Sequence, residues 1–121
     1  MAEVKAWVGA VIAAFGLALT VWARRHLGAN WSGTVTVKQG HQLVRSGPYA
    51  WVRHPIYTGL LLMLIGTALV LGEWRGVLAV LIAFAALWRK LKLEERWMRE
   101  TFGETYDDYR RSVKALLPGI L

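Results

Sequence analysis

Residues 55–92 read PIYTGLLLMLIGTALVLGEWRGVLAVLIAFAALWRKLK, and this stretch decides the fold. It holds two uncharged apolar runs, Ile56–Gly72 and Gly76–Trp88, on either side of a short polar turn. Pro55 comes directly before the first run and suits the first turn of a helix, because its missing N–H would have no helical partner there. The two runs therefore predict a tight helical hairpin.

The second run is shorter than a membrane span, which usually needs about 20 apolar residues. The basic residues that follow it, Arg89, Lys90 and Lys92, can extend its reach by snorkelling to the membrane interface. We therefore predict that the hairpin consists of two spans, at about 56–72 and 76–92.

A third apolar run, Ala6–Ala23, carries no charge, and Trp7 and Trp22 bracket it as interface anchors would. Small side chains share one face of the helix it predicts: Gly9, Ala13 and Gly16. Small residues let a second helix approach closely. We predict that this face packs inside the helix bundle, although it also permits a homodimer.

The composition supports a membrane protein and excludes several kinds of site. Hydrophobic residues make up 55% of the 121 residues, and the mean hydropathy is +0.34, which is high for a small soluble domain. The net charge of +7 comes from basic residues that flank the apolar runs, so we expect anionic lipid headgroups, and no nucleic acid, as partners. The absence of Cys excludes disulfides, a Cys-based zinc site and a Cys nucleophile. We predict no metal site, because the three His form no His-x-x-x-His pair.

The distribution of Lys and Arg predicts the orientation of these spans. Segment 24–55 carries five basic residues and no acid, and the tail after Trp88 carries eight basic residues, whereas the opposite side has only Lys5 and Arg75. The positive-inside rule then places the loop and the tail in the cytosol.

The prediction for the whole chain is one all-α integral membrane domain, 1–121. It has about three spans, at 6–23, 56–72 and 76–92. A cytosolic loop, 24–55, and a cytosolic tail, 93–121, meet on one side of the membrane. We expect this loop and tail to form the functional site.

Within the loop, alternating residues over 34–44 predict a small β-hairpin, and Ser46–Tyr49 predicts a turn. The third helix is predicted to continue past the membrane until Gly103, which is typical of a helix end. A last amphipathic helix is predicted from the helical spacing of four apolar or aromatic side chains, Tyr106, Tyr109, Val113 and Leu117. We expect Pro118 to close it.

Arg53 and His54 stand directly before the second predicted helix. The N-terminal amides of a helix favour an anion, so a carboxylate or phosphate held there with the help of Arg53 or His54 is physically natural. A helix-capping His beside an interfacial Arg explains the same two residues equally well, because basic residues are common at membrane edges.

Glu94 and Glu95 form an acidic pair in a basic neighbourhood, just after the third apolar run. Glu94 can pair with Arg53 or Arg89, or accept hydrogen bonds from ligand hydroxyls or an amine. For Glu95 we predict a solvated helical face with an ion pair to Arg99, four residues on.

Four motifs together resemble the isoprenylcysteine carboxyl methyltransferase family, and the related phospholipid N-methyltransferases share much of the pattern. The motifs are Gly47-Pro48-Tyr49, Arg53-His54-Pro55-Ile56-Tyr57-Thr58-Gly59, Glu94-Glu95 and Phe102-Gly103-Glu104-Thr105-Tyr106. Upstream, His41-Gln42-Leu43-Val44 resembles the family's His-x-Leu-Val element. The resemblance covers about Trp31 to Pro118.

The resemblance implies S-adenosyl-L-methionine as the cofactor and S-adenosyl-L-homocysteine as its product. Carried over position by position, the cofactor contacts are His41, Gln42, Leu43, Val44, Tyr49, His54, Pro55, Ile56, Tyr57 and Glu94. Lys90 occupies a substrate-side position that the family usually fills with Arg, so either Arg89 takes that role or the substrate differs, because Lys is a weaker bidentate partner than Arg. We expect Arg53 and Glu94 to be catalytic.

We therefore predict methyl transfer to a membrane-associated, lipophilic acceptor. A carboxylate acceptor is ionised at pH 7 and needs only a cation to orient it, whereas an ammonium acceptor first needs a base. His41 and Glu94 are conceivable bases, but the resemblance assigns both to the cofactor, which favours a carboxylate. The alternatives are a phospholipid or amine N-methyltransferase, an NADPH-dependent reductase of the sterol type, and a non-catalytic membrane subunit. The small size leads us to expect a prokaryotic cell membrane.

Overall fold

The computed structural model describes residues 2–28 and 43–121. In chain order these residues form α1 (Ala2–Leu27), a short 3₁₀ helix (Gly47–Ala50), α2 (Pro55–Leu71), α3 (Trp74–Phe102) and α4 (Glu104–Ser112). The all-α prediction is thus confirmed for the described part of the chain. The predicted β-hairpin over 34–44 lies almost wholly outside the described residues.

α1 and α2 pack antiparallel through glycines spaced seven residues apart on each helix. A β-carbon on Gly9 would lie 2.5 Å from the carbonyl oxygen of Gly66, and one on Gly16 would lie 2.5 Å from that of Gly59. Distances this short mean that the two backbones touch, as small residues allow. The predicted packing role of this α1 face is therefore confirmed. Because α2 covers this face, it does not support the expected homodimer, which stays a prediction.

The hairpin of α2 and α3 also matches its prediction. Gly72 ends α2 in a left-handed conformation with φ of 68°, and its N–H donates to the Ala68 carbonyl at 2.9 Å. α3 starts only two residues later, at Trp74. Gly76 then lies against Ala68, since a β-carbon on it would come within 2.8 Å of the Ala68 β-carbon.

α3 continues well beyond its apolar first half. Its 29 residues correspond to a length of about 44 Å at 1.5 Å per residue. The helix ends at Gly103, as predicted, where a φ of 59° breaks the helical path and α4 begins with Glu104. This long helix carries the acidic pair 94–95 near the start of α2.

The prediction for the last helix is only partly correct. α4 ends at Ser112, and Val113 has an extended backbone, so the helix does not reach Leu117 or Pro118. The physical reason is that the chain turns back here, and Lys114 pairs with Val52 as an isolated parallel bridge. The backbone of the tail is thereby used to hold the segment before α2 and does not continue the helix.

Among the described helices, α1 alone is both long enough and apolar enough to cross a membrane, with a mean hydropathy of 1.9 in its most apolar window. α2 is also apolar but has only 17 residues. Large apolar side chains cover the outside of α1 and the first half of α3 and stay exposed. They include Trp7, Phe15, Trp22, Trp74, Leu81 and Ile82.

Candidate functional site

The start of α2 is fixed by the tail that follows α4. His54 is the N-cap and Pro55 the first helical residue, as the sequence predicted. Three hydrogen bonds join this start to the tail: the Arg53 N–H to the Lys114 carbonyl (2.8 Å), the His54 N–H to the Ala115 carbonyl (2.9 Å) and the Thr58 hydroxyl to the Leu116 carbonyl (2.8 Å). The backbone amides of Arg53 and His54 are therefore already satisfied within the protein.

Glu95 is a buried acid at the centre of a polar network. Its carboxylate accepts hydrogen bonds from the Arg53 guanidinium and, at 2.9 Å, from the Tyr106 hydroxyl. His54 Nε2 lies 3.2 Å from the same carboxylate oxygen, in close electrostatic contact but outside hydrogen-bonding geometry. The side chains of Arg53 and Glu95 are 9% and 5% exposed. The network thus joins α3, α4 and the segment before α2.

The charges of this network keep Glu95 ionised. Burial by itself would raise the pKa of its carboxyl, but contact with His54, the Arg53 guanidinium and the Tyr106 hydroxyl together lower that pKa from 4.5 to about 2. Burial and the neighbouring Glu95 carboxylate raise the pKa of Tyr106, so this phenol stays a hydrogen-bond donor. An ionised acid held by two donors and in contact with His54 is a rigid element rather than a proton carrier.

Glu94 belongs to a different environment from its neighbour. Its carboxylate accepts a hydrogen bond from the Tyr57 hydroxyl and lies 4.0 Å from the Lys90 ammonium. Lys90 also sits over the Tyr57 ring, 5.5 Å from its centroid. The His54 ring lies parallel to the Tyr57 ring, with their centroids 5.6 Å apart. Glu94, Lys90 and Tyr57 thus place an acid, a cation and an aromatic face together at the start of α2.

An aromatic cluster adjoins this group. Tyr49, Tyr106 and Tyr109 are buried together, and the Tyr109 hydroxyl donates to the Tyr49 carbonyl at 2.6 Å. Leu43 and Val44 pack against the cluster, which connects the end of the loop to α4. Ile56 contacts both this cluster and a second buried cluster, so the two are continuous. The second cluster consists of Tyr57, Leu61, Leu91, Ala115 and Leu116.

All eight of the predicted cofactor contacts that the structure describes come together. Leu43, Val44, Tyr49, His54, Pro55, Ile56, Tyr57 and Glu94 all lie in or beside these two clusters. His41 and Gln42 lie outside the described residues. Lys90 stands beside Glu94, and Arg89 is exposed. The substrate-side assignment of these two residues stays a prediction.

Arg53 differs from the environment that the sequence suggested. Its guanidinium is buried against Glu95, so it pairs with the second acid of the pair and not with Glu94. The catalytic role assigned to Arg53 stays a prediction, and this geometry does not favour it. The prediction of an anion at the N-terminal amides of α2, assisted by Arg53 or His54, stays a prediction. The backbone amides of Arg53 and His54 are not available for it, because they donate to the tail.

Sequence reasoning missed Glu95, and the predicted solvated face with an ion pair to Arg99 is wrong. Arg99 instead pairs with Asp107, at 3.3 Å. A signal for Glu95 does exist in the sequence. It falls four residues after Leu91 and three before Met98, so it interrupts the apolar stripe by which α3 contacts the rest of the protein. An acid on such a stripe has to be paired, because an isolated buried charge is too costly.

The chain matches the family model described as phospholipid methyltransferase over residues 4–105. It is 33% identical over 97 residues to protein-S-isoprenylcysteine O-methyltransferase of Schizosaccharomyces pombe, covering 75% of this chain and 40% of the relative. It is 35% identical over 115 residues to the Mus musculus protein of the same name, covering 93% of this chain and 41% of that one. The chain thus spans less than half the length of these relatives.

A solved structure shares the fold. It is that of a eukaryotic intramembrane Ras methyltransferase, an isoprenylcysteine carboxyl methyltransferase, with a TM-score of 0.88 and 30% sequence identity. The match covers 95% of this chain and 42% of that one. This likeness and the apolar helix α1 support a membrane location. On the extent of the family-model match, the chain belongs to the phospholipid methyltransferase family.

Proposed function

We propose that this protein transfers a methyl group from S-adenosyl-L-methionine to the carboxylate of a membrane-associated, isoprenylcysteine-like acceptor. The observation that carries the proposal is the group of Glu94, Lys90 and Tyr57 at the start of α2. An acid and a cation one helical turn apart can hold two ligands of opposite charge side by side. The names of the relatives, protein-S-isoprenylcysteine O-methyltransferases, support the same reaction.

The side chains present fit the cofactor. When bound, S-adenosyl-L-methionine supplies an activated methyl group on a sulfonium. The Glu94 carboxylate can accept hydrogen bonds from hydroxyl and amino groups. The largely buried rings of His54 and Tyr57 lie near it. The amides of Ile56 and Tyr57, in the first turn of α2, have no helical acceptor and suit a carboxylate.

Lys90 is the cation that we assign to the acceptor. A carboxylate with a pKa of about 3.5 is ionised at neutral pH, so it needs orientation but no general base. Lys90 is half-exposed and lies beside Glu94, whereas Arg53 is buried against Glu95. Lys90, with the neighbouring Arg89 exposed at the same level, can therefore hold the acceptor in line for transfer, and this positioning is the main contribution of the chain.

The test is methyl transfer in proteoliposomes with radiolabelled S-adenosyl-L-methionine. We expect label in an S-prenylated cysteine analogue with a free carboxylate, and the product should release volatile methanol in alkali because it is an ester. Alkali-stable label in phosphatidylethanolamine would instead identify an N-methyltransferase, in line with the name of the family model. No label in either acceptor, from protein that is folded, would overturn both.

Lys90→Met sharpens this test. Losing a charge-assisted contact of about 1.5 kcal/mol should raise the KM for the prenylated acceptor roughly tenfold, with the affinity for S-adenosyl-L-homocysteine little changed. Lys92→Met is the matched control, because Lys92 lies on the same helix over Trp88 and away from Glu94. If both changes alter the KM equally, Lys90 is not part of the acceptor site.

We also propose three membrane spans, formed by α1, α2 and the first half of α3, with the site on the cytosolic side. Support comes from the exposed apolar side chains of α1 and α3 and from the length of α3, which leaves room for a span before the acidic pair. The chain has no Cys, so a single introduced Cys reports its own side. In Glu73→Cys and Ser112→Cys, a membrane-impermeant thiol reagent should label opposite sides, and labelling on one side would overturn this topology.

A further inference from the structure

Glu94 and Glu95 are adjacent in sequence and belong to two different sites. Neighbouring residues on an α-helix are rotated by about 100°, so their side chains leave α3 in different directions. Glu94 is 24% exposed, beside Lys90 and Tyr57, whereas Glu95 is 5% exposed and faces the protein interior. Only the first of these acids is open to a ligand.

Glu95 is nevertheless connected to Glu94 by a continuous series of contacts. Its carboxylate lies against His54, whose ring is parallel to that of Tyr57 within 6°. The Tyr57 hydroxyl in turn donates to Glu94. Two parallel rings with centroids 5.6 Å apart form an offset stack and restrict each other's orientation. The position of the Glu95 carboxylate therefore affects where the Tyr57 hydroxyl meets Glu94.

Glu95 is also anchored more firmly than any ligand-facing side chain of the group. Arg53 holds it from the segment before α2, and Tyr106 holds it from α4. The Arg53 backbone N–H donates a hydrogen bond to the Lys114 carbonyl, which fixes the backbone that carries the guanidinium. A buried ion pair of this kind is weak evidence for stability alone, because apolar residues can often replace it. Its position behind the ligand-facing group suggests a second role.

We propose that Glu95 is a positioning residue, which acts through His54 and Tyr57 to hold Glu94 in the geometry that binds the cofactor. The inference rests on the proposed function, since it concerns how that site is ordered. Glu95 itself touches neither the cofactor nor the acceptor. An ionised carboxylate 3.2 Å from His54 Nε2 interacts with the imidazole more strongly than a neutral amide of the same shape, because the carboxylate carries a full charge.

The experiment compares Glu95→Gln with the double variant Arg53→Met/Glu95→Gln. The single variant leaves a buried guanidinium without a counterion and should lose stability. The double variant removes that charge, so we expect its thermal unfolding to recover most of the way to the wild type. We expect both to bind S-adenosyl-L-homocysteine roughly tenfold more weakly in calorimetric titrations. Affinity that recovers together with stability in the double variant would overturn the positioning role.

A spectroscopic signature separates this inference from the proposed function. In protein with ¹⁵N-labelled His, the two imidazole resonances of His54 should shift in Glu95→Gln and in the double variant. Asp107→Asn is the matched control, because it breaks an exposed contact between α3 and α4 and should leave them unchanged. Unchanged His54 resonances in Glu95→Gln would overturn the positioning role. If the wild type binds no S-adenosyl-L-homocysteine but the His54 resonances still shift in Glu95→Gln, the proposed function is overturned and the Glu95–His54 coupling stands.

Discussion

The two halves of α2 are held in place by different forces. The half from Gly59 onward packs on α1 through backbone contacts at glycines, where shape alone decides the fit. The half that begins at His54 is held by hydrogen bonds to the tail and stands beside a buried ion pair. The glycine half, from Gly59 onward, tolerates no extra volume. The polar half, at the start of α2, tolerates no unpaired charge.

This difference has a clear physical reason. Inside a bilayer, apolar side chains gain little by leaving lipid for protein, so close backbone approach supplies much of the attraction between helices. At the start of α2 the polar groups of Arg53, Glu95 and Tyr106 leave water on folding, and each then has to find a partner. Each half can therefore be destabilised separately, one by adding side-chain volume at a glycine and the other by protonating Glu95.

Gly16→Leu should have the largest effect, because it tests the glycine contact directly. The added side chain would begin 2.5 Å from the Gly59 carbonyl oxygen and 2.8 Å from the backbone nitrogen of Met63, so the helices have to move apart. We expect a loss of more than about 3 kcal/mol, at or above the upper end of ordinary overpacking. Detergent-driven unfolding, followed by far-ultraviolet circular dichroism, measures it.

Ala14→Leu is the matched control for this change. Ala14 lies on the same helix but is exposed, away from α2. Its replacement should change the free energy of unfolding by no more than about 0.5 kcal/mol. Similar losses at Ala14 and Gly16 would mean that α1 does not pack on α2 through its glycines.

The second prediction concerns acid, which should act on the polar half. The pKa of Glu95 is about 2 in the folded protein and near 4.5 when unfolded, so the unfolded chain takes up the proton first as pH falls. The contribution of Glu95 is therefore complete above pH 4.5 and disappears as pH approaches 2. It amounts to at most about 3 kcal/mol, at 1.36 kcal/mol per pKa unit.

Other carboxyl groups also titrate in this range, so the wild type has to be compared with Glu95→Gln. The free energy of unfolding should fall more steeply between pH 4.5 and pH 2 in the wild type than in the variant, which has no proton to take up at this position. Parallel curves for the two proteins would show that Glu95 does not have a lowered pKa.

A smaller effect is expected for Tyr109→Phe. The change removes the hydroxyl that donates to the Tyr49 carbonyl at 2.6 Å and leaves that buried acceptor without its partner. We expect a loss of about 1–2 kcal/mol in the free energy of unfolding. Ser112→Ala, which removes an exposed hydroxyl at the end of α4, is the control and should cost less. An unchanged free energy of unfolding in Tyr109→Phe would mean that this hydrogen bond does not stabilise the turn at Tyr49.

The helices could be predicted from sequence because each has a local cause. Uncharged runs define α1 and α2, Pro55 starts a helix, and Gly72 and Gly103 end one. The end of α4 could not be predicted in this way, since Tyr106, Tyr109 and Val113 keep a helical spacing. What ends the helix is a contact distant in sequence, the return of the tail to the segment before α2.

The same limit applies to the site. Motif resemblance assigned Glu94 and Tyr57 to the same cofactor, and the structure brings the two into contact although 37 residues separate them. It gave no information on which acid of the pair Arg53 would meet, because two adjacent helical residues differ only in the side of the helix they occupy. Placing Glu95 on the apolar stripe of α3 would have resolved this, since the charge of an acid there has to be compensated.

The smallest effect is expected for Asp107→Asn. It tests whether a polar contact between α3 and α4 stabilises the protein only when it is buried. Arg99 and Asp107 join α3 to α4 just as Glu95 and Tyr106 do, but on the outside, with Arg99 mostly exposed. Water and salt screen such a pair, so its loss should cost at most about 0.5 kcal/mol and the difference should vanish in 1 M salt. A loss of unfolding free energy as large as that from protonating Glu95 would mean that ion pairs between α3 and α4 stabilise the protein equally whether buried or exposed. A negligible cost would mean that α3 and α4 depend on the one carboxylate that folding removes from water.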